Sequence, residues 1–209
     1  MSAFSEGALW RADEEEGYNS AMGSEVVSKL TYEQFRQLPD DGKQYELIHG
    51  EARLTPAPST KHQVILENLS YSLGAFTRQK KWGQIAYAPL DVRLGDDLAL
   101  QPDLIYVSQE RAKIIQEDFI AGPPDLVVEI LSTSTAAHDR ATKLPIYAAA
   151  GVSEFWLIDP LAKTVEVLKL QGEKYLVDAI LAGDQTLTSG LFPGWQLPLS
   201  ELFDFHGMF

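Results

Sequence analysis

The strongest constraint in this sequence is a carboxylate inside a run of apolar residues. Glu129 interrupts residues 125–131, whose other interior positions are leucine, valine and isoleucine. A nearly continuous apolar and β-branched run is typical of a strand that is covered on both faces. An ionised carboxylate in such surroundings is strongly unfavourable unless a cation or hydrogen-bond donors meet it. We therefore expect the chain to bring a cationic group to Glu129.

Turn residues and hydrophobic spacing divide the chain into alternating helices and strands. The predicted elements are a short helix over 31–38, a hairpin of strands 45–48 and 51–54, a helix over 60–80, strands at 84–88, 91–94, 104–107, 125–131 and 154–159, a helix that ends at Gly151, and a hairpin of strands 163–170 and 174–181. The stretch from Pro193 onward is predicted to be irregular. Mixed helices and strands without an internal repeat predict an α/β (α+β) domain with a central mixed sheet flanked by helices.

Length and composition indicate one globular domain. Of the 209 residues, 45% are hydrophobic, which is enough for a substantial core. Residues 1–24 contain a run of three glutamates and few β-branched residues, and we expect them to be a disordered tail or an added segment. Residues 25–209 are then the domain. The absence of cysteine excludes disulfides and thiolate chemistry, and no apolar run reaches the ~20 residues of a membrane span, so we expect a cytoplasmic protein.

The charge balance limits the kinds of partner. The chain has 17 Lys and Arg residues against 30 Asp and Glu residues, a formal net charge of −13. This balance argues against a broad basic face for non-specific nucleic-acid binding, because such binding needs lysines and arginines to displace counterions from phosphates. Two interpretations stay open: an acidic surface that favours solubility, or carboxylates gathered around a divalent cation.

A second carboxylate precedes another apolar strand. Asp103 stands in the segment Gln101-Pro102-Asp103, immediately before the predicted strand 104–107. If this strand neighbours the one that carries Glu129, the two carboxylates meet at one sheet edge, where they are suited to hold an oxygen-ligated divalent ion for hydrolysis of a phosphate ester. Lys143 shares a helical face with Asp139 and Tyr147 by its four-residue spacing, and it is the candidate cation for Glu129.

Several short segments together resemble a known family. In chain order they are Tyr45-Glu46-Leu47, Gly50-Glu51, Gln101-Pro102-Asp103, residues 125–132, Asp139-Arg140, Lys143-Leu144, Tyr147 and residues 151–160. Their order and spacing resemble the Uma-type restriction endonuclease family, which belongs to the PD-(D/E)XK nuclease superfamily. The similarity extends to about Leu170, some two-thirds of the chain.

This resemblance implies a restriction-endonuclease-like core and cleavage of DNA phosphodiester bonds with Mg²⁺ or Mn²⁺. By motif match, Asp103 is the metal-binding aspartate, Glu129 is the acidic residue of the second strand, and Glu46 is a further metal ligand. The sequence departs from the superfamily two residues after Glu129, where Leu131 stands in place of the lysine. The resemblance implies that Lys143 on the following helix substitutes for it. Pro145 is a second departure, and it fits a helix only if it falls in the first turn.

Each candidate residue also has an ordinary structural interpretation. Glu129 and Lys143 could form a buried ion pair without catalysis, and Asp103 could simply cap a turn. Glu46 could be a solvated strand residue, and Tyr147 could only pack in the core. At the level of function, the alternatives are a catalytically inactive binding or regulatory module of the same fold, and a phosphoesterase that acts on small substrates.

The DNA interpretation also requires cations on an acidic protein. The candidates are two clusters, Arg78 with Lys80 and Lys81, and Arg111 with Lys113. The first cluster is equally explained as the basic end of a helix. Cleavage of both DNA strands needs two active sites, so a homodimer is compatible with the prediction. A zinc site is not expected, because the four histidines lack the spacing of zinc ligands.

Overall fold

The structure, a computed structural model of the chain, describes residues 29–132 and 139–208. The predicted tail at residues 1–24, the start of the predicted domain and His138 lie outside the described residues, as does the side chain of Asp139. Within the described residues, no helix is both long enough and apolar enough to cross a bilayer.

Most of the predicted elements are confirmed within one or two residues. The helices are α1 (Tyr32–Phe35), α2 (Thr60–Lys80), α3 (Leu144–Ala150) and α4 (Leu199–Leu202), with a 3₁₀ segment at Gln109–Ile114 and a π-helical segment at Asp139–Lys143. The strands are β1 (Gln44–Ile48), β2 (Glu51–Thr55), β3 (Gly83–Tyr87), β4 (Asp91–Gly95), β5 (Leu98–Leu100), β6 (Leu104–Ser108), β7 (Phe119–Ala121), β8 (Leu126–Ile130), β9 (Glu154–Asp159), β10 (Thr164–Gln171), β11 (Lys174–Ala182), β12 (Thr186–Leu187) and β13 (Leu197–Pro198). The prediction missed β5, β7, β12 and β13, and α1 ends at Phe35 rather than at residue 38.

Two mixed sheets form the framework of the described residues. The larger sheet has the order β11-β10-β9-β8-β6-β3, and the smaller one has the order β2-β1-β5-β4-β7. All neighbouring strands run antiparallel except β8 with β9 and β4 with β7. The predicted mixed sheet flanked by helices is therefore confirmed, with the difference that the strands divide between these two sheets and a separate pair, β12 with β13.

Strand β8 is covered on both faces, as its sequence predicts. Leu126 and Val128 pack with α2 on one face, whereas Val127 packs with α3 on the other. All three side chains are fully buried. Because side chains alternate along a strand, Glu129 lies on the same face as Val127 and is directed toward α3.

The hairpin that carries Glu46 has the turn that its sequence predicts. Strands β1 and β2 pair antiparallel with Ile48 opposite Glu51. The two residues between them, His49 and Gly50, both have positive φ, at 51° and 82°. Two positive φ values define a type I′ turn, whose twist matches that of the flanking strands.

The C-terminal stretch corrects the prediction of an irregular end. Strands β12 and β13 pair with each other, and α4 follows directly. Phe192 and Trp195 are buried, and the Trp195 ring stacks on Trp156 of β9 with centroids 5.9 Å apart. Large aromatic side chains gain more by burial than the short connecting segments lose by being ordered, so the tail closes the core beneath α2.

Gly83 provides a test of how closely β3 and β6 approach. A Cβ at this position would lie 2.2 Å from the carbonyl oxygen of Val107, whereas a Cβ at Gly74 in α2 would meet nothing within 4 Å. We expect Gly83→Ala to lower the free energy of unfolding by about 2 kcal/mol or more. Gly74→Ala should raise it by about 0.5–1 kcal/mol, because alanine favours the helix. Urea denaturation measures both, and equal effects at the two positions would contradict the close approach.

Candidate functional site

Lys143 lies between two buried glutamates. Its Nζ atom is 2.9 Å from Oε1 of Glu46 and 3.1 Å from Oε1 of Glu129. Glu46 and Glu129 are each 4% exposed, and Lys143 is 5% exposed. In such surroundings the attraction between opposite charges is weakly screened, and each charge depends on the others for compensation. The expected cation for Glu129 is therefore present, and it also engages Glu46.

The helix that follows β8 delivers Lys143 to this position. Pro145 falls in the first turn of α3, where the missing backbone N–H breaks no intrahelical hydrogen bond. Pro145 therefore meets the condition under which the sequence allows a helix here. Lys143 ends the preceding π-helical segment, directly before α3 begins. Its backbone is helical, and its side chain reaches Glu129 of β8.

Tyr147 supports the same carboxylate one turn further along α3. Its hydroxyl donates a hydrogen bond of 3.1 Å to Oε1 of Glu129. Its ring also packs against Phe155 with centroids 5.4 Å apart. Burial raises the pKa of the Tyr147 hydroxyl well above its usual value, and the negative charges of Glu129 and Glu46 raise it further. Tyr147 therefore stays protonated and acts both as a core residue and as a hydrogen-bond donor.

Asp103 is brought next to Glu129 by the pairing of β6 with β8. Leu104 is paired with Val128, so Asp103 and Glu129 occupy the adjacent positions at the ends of the two strands. Oδ2 of Asp103 accepts a 2.6 Å hydrogen bond from the backbone N–H of Ile130. The other carboxylate oxygen, Oδ1, accepts no hydrogen bond from any residue that the structure describes. Asp103 is thus held by one oxygen and presents the second.

His62 is a member of the site that the sequence analysis missed. It lies in the first turn of α2, and its Nε2 atom is 3.0 Å from Oδ2 of Asp103. The side chain is buried, and its other ring nitrogen, Nδ1, has no hydrogen-bond partner within the described residues. The spacing of the histidines in the sequence argues only against a zinc site and does not indicate this contact. A buried first-turn position on a helix next to the cluster could have indicated it, but only once the packing of α2 was known.

Glu46 connects the smaller sheet to the segment that carries Asp103. Its Oε1 atom accepts a 2.9 Å hydrogen bond from the backbone N–H of Gln101. The Gln101 side chain in turn donates to Asp91 at 2.8 Å, and Asp91 also accepts from the Tyr32 hydroxyl at 2.9 Å. The alternative of a solvated Glu46 is therefore wrong. Glu46 lies on the same face of β1 as Ile48, which packs in the core cluster that contains Val127 and Tyr147.

A cavity of about 460 Å³ lies beside this cluster of side chains. Its walls include Asp103, Glu129, Lys143 and His62, together with Ala88-Pro89 in the loop between β3 and β4. Glu46 is not among the residues that line it, and it contacts Lys143 from outside the cavity wall. The cavity is open to solvent and large enough for a hydrated ion and part of a phosphate ester.

The donor set fits a divalent ion that is held by few protein ligands. Within residues 29–132 and 139–208, no three His, Asp or Glu side chains lie close enough together to enclose a metal ion. Asp103 and Glu129 nevertheless share one cavity wall, and Mg²⁺ is commonly bound by one or two carboxylates while waters and phosphate oxygens complete its shell. Oε1 of Glu46 is engaged by Lys143 and Gln101. The role of Glu46 as a third ligand stays a prediction.

Comparison with known proteins first defines the class of fold. The structure is similar to a crystal structure described as that of a putative nuclease belonging to DUF820 from Anabaena variabilis. The TM-score is 0.69 at 23% sequence identity, and the similarity covers 83% of this chain and 97% of that chain. The sequence has no match among curated proteins.

The sequence itself defines the family. Residues 32–200 match the model of the family Uma2, described as "Putative restriction endonuclease". The chain therefore belongs to the Uma2 family, and the resemblance that its motifs indicate is confirmed.

Removal of the lysine charge tests the buried cluster. We expect Lys143→Met to lower the free energy of unfolding by about 3–5 kcal/mol, because it leaves two buried carboxylates without their shared cation. Adding Glu46→Gln and Glu129→Gln to the same variant removes the unpaired charges and should recover most of that loss. Chemical denaturation at pH 7 measures the difference. Stability of Lys143→Met within 1 kcal/mol of the unaltered protein would contradict the ion-pair assignment.

Proposed function

We propose that this protein is a metal-dependent endonuclease that hydrolyses DNA phosphodiester bonds. The observation that carries the proposal is the meeting of Asp103, Glu129 and Lys143 at one solvent-open cavity. Carboxylates can hold a divalent ion, and an ammonium group can stabilise negative charge on a phosphate, so this set is suited to metal-assisted phosphodiester hydrolysis. Membership in the Uma2 family supports the same reaction class.

Asp103 and Glu129 are the proposed ligands of Mg²⁺ or Mn²⁺. A bound ion would supply positive charge beside the scissile phosphate and would lower the pKa of a coordinated water. The backbone N–H of Ile130 and the His62 ring fix Oδ2 of Asp103, which leaves Oδ1 available as a ligand. The Tyr147 hydroxyl fixes the orientation of Glu129 in a similar way. The metal ligands are thus oriented by neighbouring groups before any ion binds.

Lys143 is the proposed stabiliser of the negative charge that develops on the phosphate during attack. Its ammonium group borders the cavity and is held in place by Glu46 behind it and Glu129 beside it. A cation that is fixed in advance needs no reorganisation during the reaction, which makes its charge more effective than that of a mobile surface lysine. Glu46 is proposed to act through Lys143. Cleavage of both strands of a duplex would require a second copy of the chain.

One observation favours a second candidate, a binding or regulatory module of the same fold without catalysis. Lys143 compensates both glutamates, and the described residues contain no set of three ligands for a single ion. A purely structural ion pair has the same geometry. Binding of a metal ion to Asp103 and Glu129 therefore separates the two candidates.

Replacement of the two carboxylates by amides tests the enzymatic proposal. We expect Asp103→Asn and Glu129→Gln each to reduce Mg²⁺- or Mn²⁺-dependent nicking of supercoiled plasmid by at least about 100-fold, because each removes a proposed metal ligand. The control is Glu51→Gln, which removes an exposed carboxylate from the β1–β2 hairpin and should cut normally.

The same variants also separate the alternatives. Mn²⁺ binding by calorimetry, lost in Asp103→Asn and retained in Glu51→Gln, supports an active site. Absence of both metal binding and nicking in the unaltered protein would favour the inactive module. Metal-dependent hydrolysis of small phosphodiesters without cleavage of DNA would favour the phosphoesterase.

His62 should influence metal affinity through Asp103. We expect His62→Leu to weaken Mn²⁺ binding by about 10- to 100-fold, since it removes the N–H group that orients the carboxylate. His62→Gln places an amide N–H near the position of Nε2 and should retain most of the affinity. Calorimetric titration of Mn²⁺ in the absence of DNA measures both variants. Equal, unaltered affinities in the two variants would assign His62 to packing alone.

A further inference from the structure

A second depression lies along helix α2 and strand β3, next to the cavity that Asp103 and Glu129 border. Its volume is about 560 Å³, and we call it the α2–β3 groove. Residues of α2 up to Leu66, such as His62, border the cavity, and residues from Glu67 to Arg78 border the groove. Strand β3 borders the groove and leads directly into Ala88-Pro89 at the cavity. The two depressions therefore share one continuous face of the protein.

Two tyrosine rings stand exposed on the sides of the groove. Tyr71 on α2 is 80% exposed, and Tyr87 at the end of β3 is 57% exposed. Gly74 lies between Tyr71 and Arg78 on the same face of α2, and the absence of a side chain there keeps the groove open. An exposed aromatic ring lacks the hydrophobic stabilisation that burial would give. Two such rings on the sides of an open groove therefore indicate a surface that contacts a flat apolar partner.

The groove also contains a cation without a carboxylate partner. The Arg78 side chain is exposed and forms no ion pair with the residues that the structure describes. By contrast, Arg111 of the second predicted cluster donates a 3.0 Å hydrogen bond to Asp125, which assigns it to the fold. The other ionisable groups of the groove are Glu67, at the end nearer the cavity, and His206, beside Asp204.

We propose that the α2–β3 groove binds an unpaired strand of DNA next to the scissile bond, with bases stacked on Tyr71 and Tyr87 and a phosphate bound by Arg78. This proposal rests on the proposed nuclease function and specifies its substrate class. Stacking of bases on aromatic rings is tolerant of sequence, and Arg78 supplies a charge at the end of the groove remote from Glu67.

An unpaired strand fits this surface better than a duplex does. The bases of a duplex are stacked on one another, so their faces are not available to Tyr71 or Tyr87. Tight binding of a duplex backbone needs many lysine and arginine contacts, whereas the chain carries a net charge of −13. Stacking gives affinity without a basic surface, which is the property that an acidic nuclease requires.

The length of the groove is compatible with a few nucleotides. Leu66 at the cavity and Arg78 at the far end are twelve residues apart on α2, which corresponds to about 18 Å along the helix. Strand β3 is the outermost strand of the larger sheet, so no further strand covers the groove on that side. A single strand can therefore leave the catalytic cavity and follow α2 without crossing another element of the sheet.

Binding of labelled oligonucleotides by the full chain tests the proposal. Fluorescence anisotropy would compare a single-stranded oligothymidine with a duplex of the same length, in buffer with EDTA so that no cleavage occurs. We expect Tyr71→Ala and Tyr87→Ala each to weaken binding of the single strand by roughly 5- to 100-fold. Tyr71→Phe keeps the ring and should bind as the unaltered protein does.

Position 74 provides a matched set of variants that leave the tyrosines intact. A side chain at Gly74 projects into open space and does not disturb the helix. Gly74→Glu places bulk and negative charge in the groove and should weaken single-strand binding at least about 10-fold, while Gly74→Ala should not. Gly74→Lys should bind more tightly than Gly74→Glu. Thermal unfolding of each variant verifies that the fold is intact.

The outcomes distinguish this proposal from the proposed function. Unchanged single-strand affinity in Tyr71→Ala, Tyr87→Ala and Gly74→Glu, or absence of single-strand binding altogether, would overturn the groove assignment even if Asp103→Asn abolished nicking. Equal effects on duplex and single strand would also overturn it. Loss of single-strand binding in these variants, combined with no metal-dependent cleavage by any variant, would retain the groove and reject the enzyme.

Discussion

Compensation of charge inside an apolar sheet is the constraint on which the site depends. Glu129 stands in a strand that is covered on both faces, and Glu46 is buried on the neighbouring sheet. Neither carboxylate is stable there as an ion without a cation, and Lys143 supplies one charge to both. Lys143 therefore connects β1, β8 and the start of α3. Separation of the elements that surround the cavity would leave buried charges unpaired, which is energetically unfavourable.

Two sheets contribute different parts of the site. The larger sheet places Asp103 and Glu129 at the adjacent ends of β6 and β8, where the strand register sets their relative position. The smaller sheet contributes Glu46, which binds both Lys143 and the backbone of Gln101 just before Asp103. Glu46 thus holds the segment that leads into Asp103, and it also holds Lys143, the cation that is paired with Glu129.

Features that depend on residues close together in the chain are predicted correctly, whereas features that depend on distant residues are missed. The β1–β2 hairpin and helix α2 follow from local signals, a His49-Gly50 turn and an apolar stripe, and both are confirmed. The C-terminal segment was expected to be irregular because its pairing of β12 with β13 and its packing on Trp156 depend on distant residues. His62 was overlooked for the same reason: nothing in its neighbours along the chain indicates that α2 brings it to Asp103, 41 residues later in the sequence.

The sequence by itself determined the family of this chain and the need for a buried cation. Residues 32–200 define the family, and the apolar run around Glu129 demands a cation, since burial of a charge is unfavourable whatever the details of the fold. Only the tertiary structure decided which groups meet. It joined Glu46 to Lys143, placed His62 against Asp103 and brought Tyr71 and Tyr87 to the same groove. Those contacts arise from the packing of elements that are far apart in the chain, and local propensity carries no information about them.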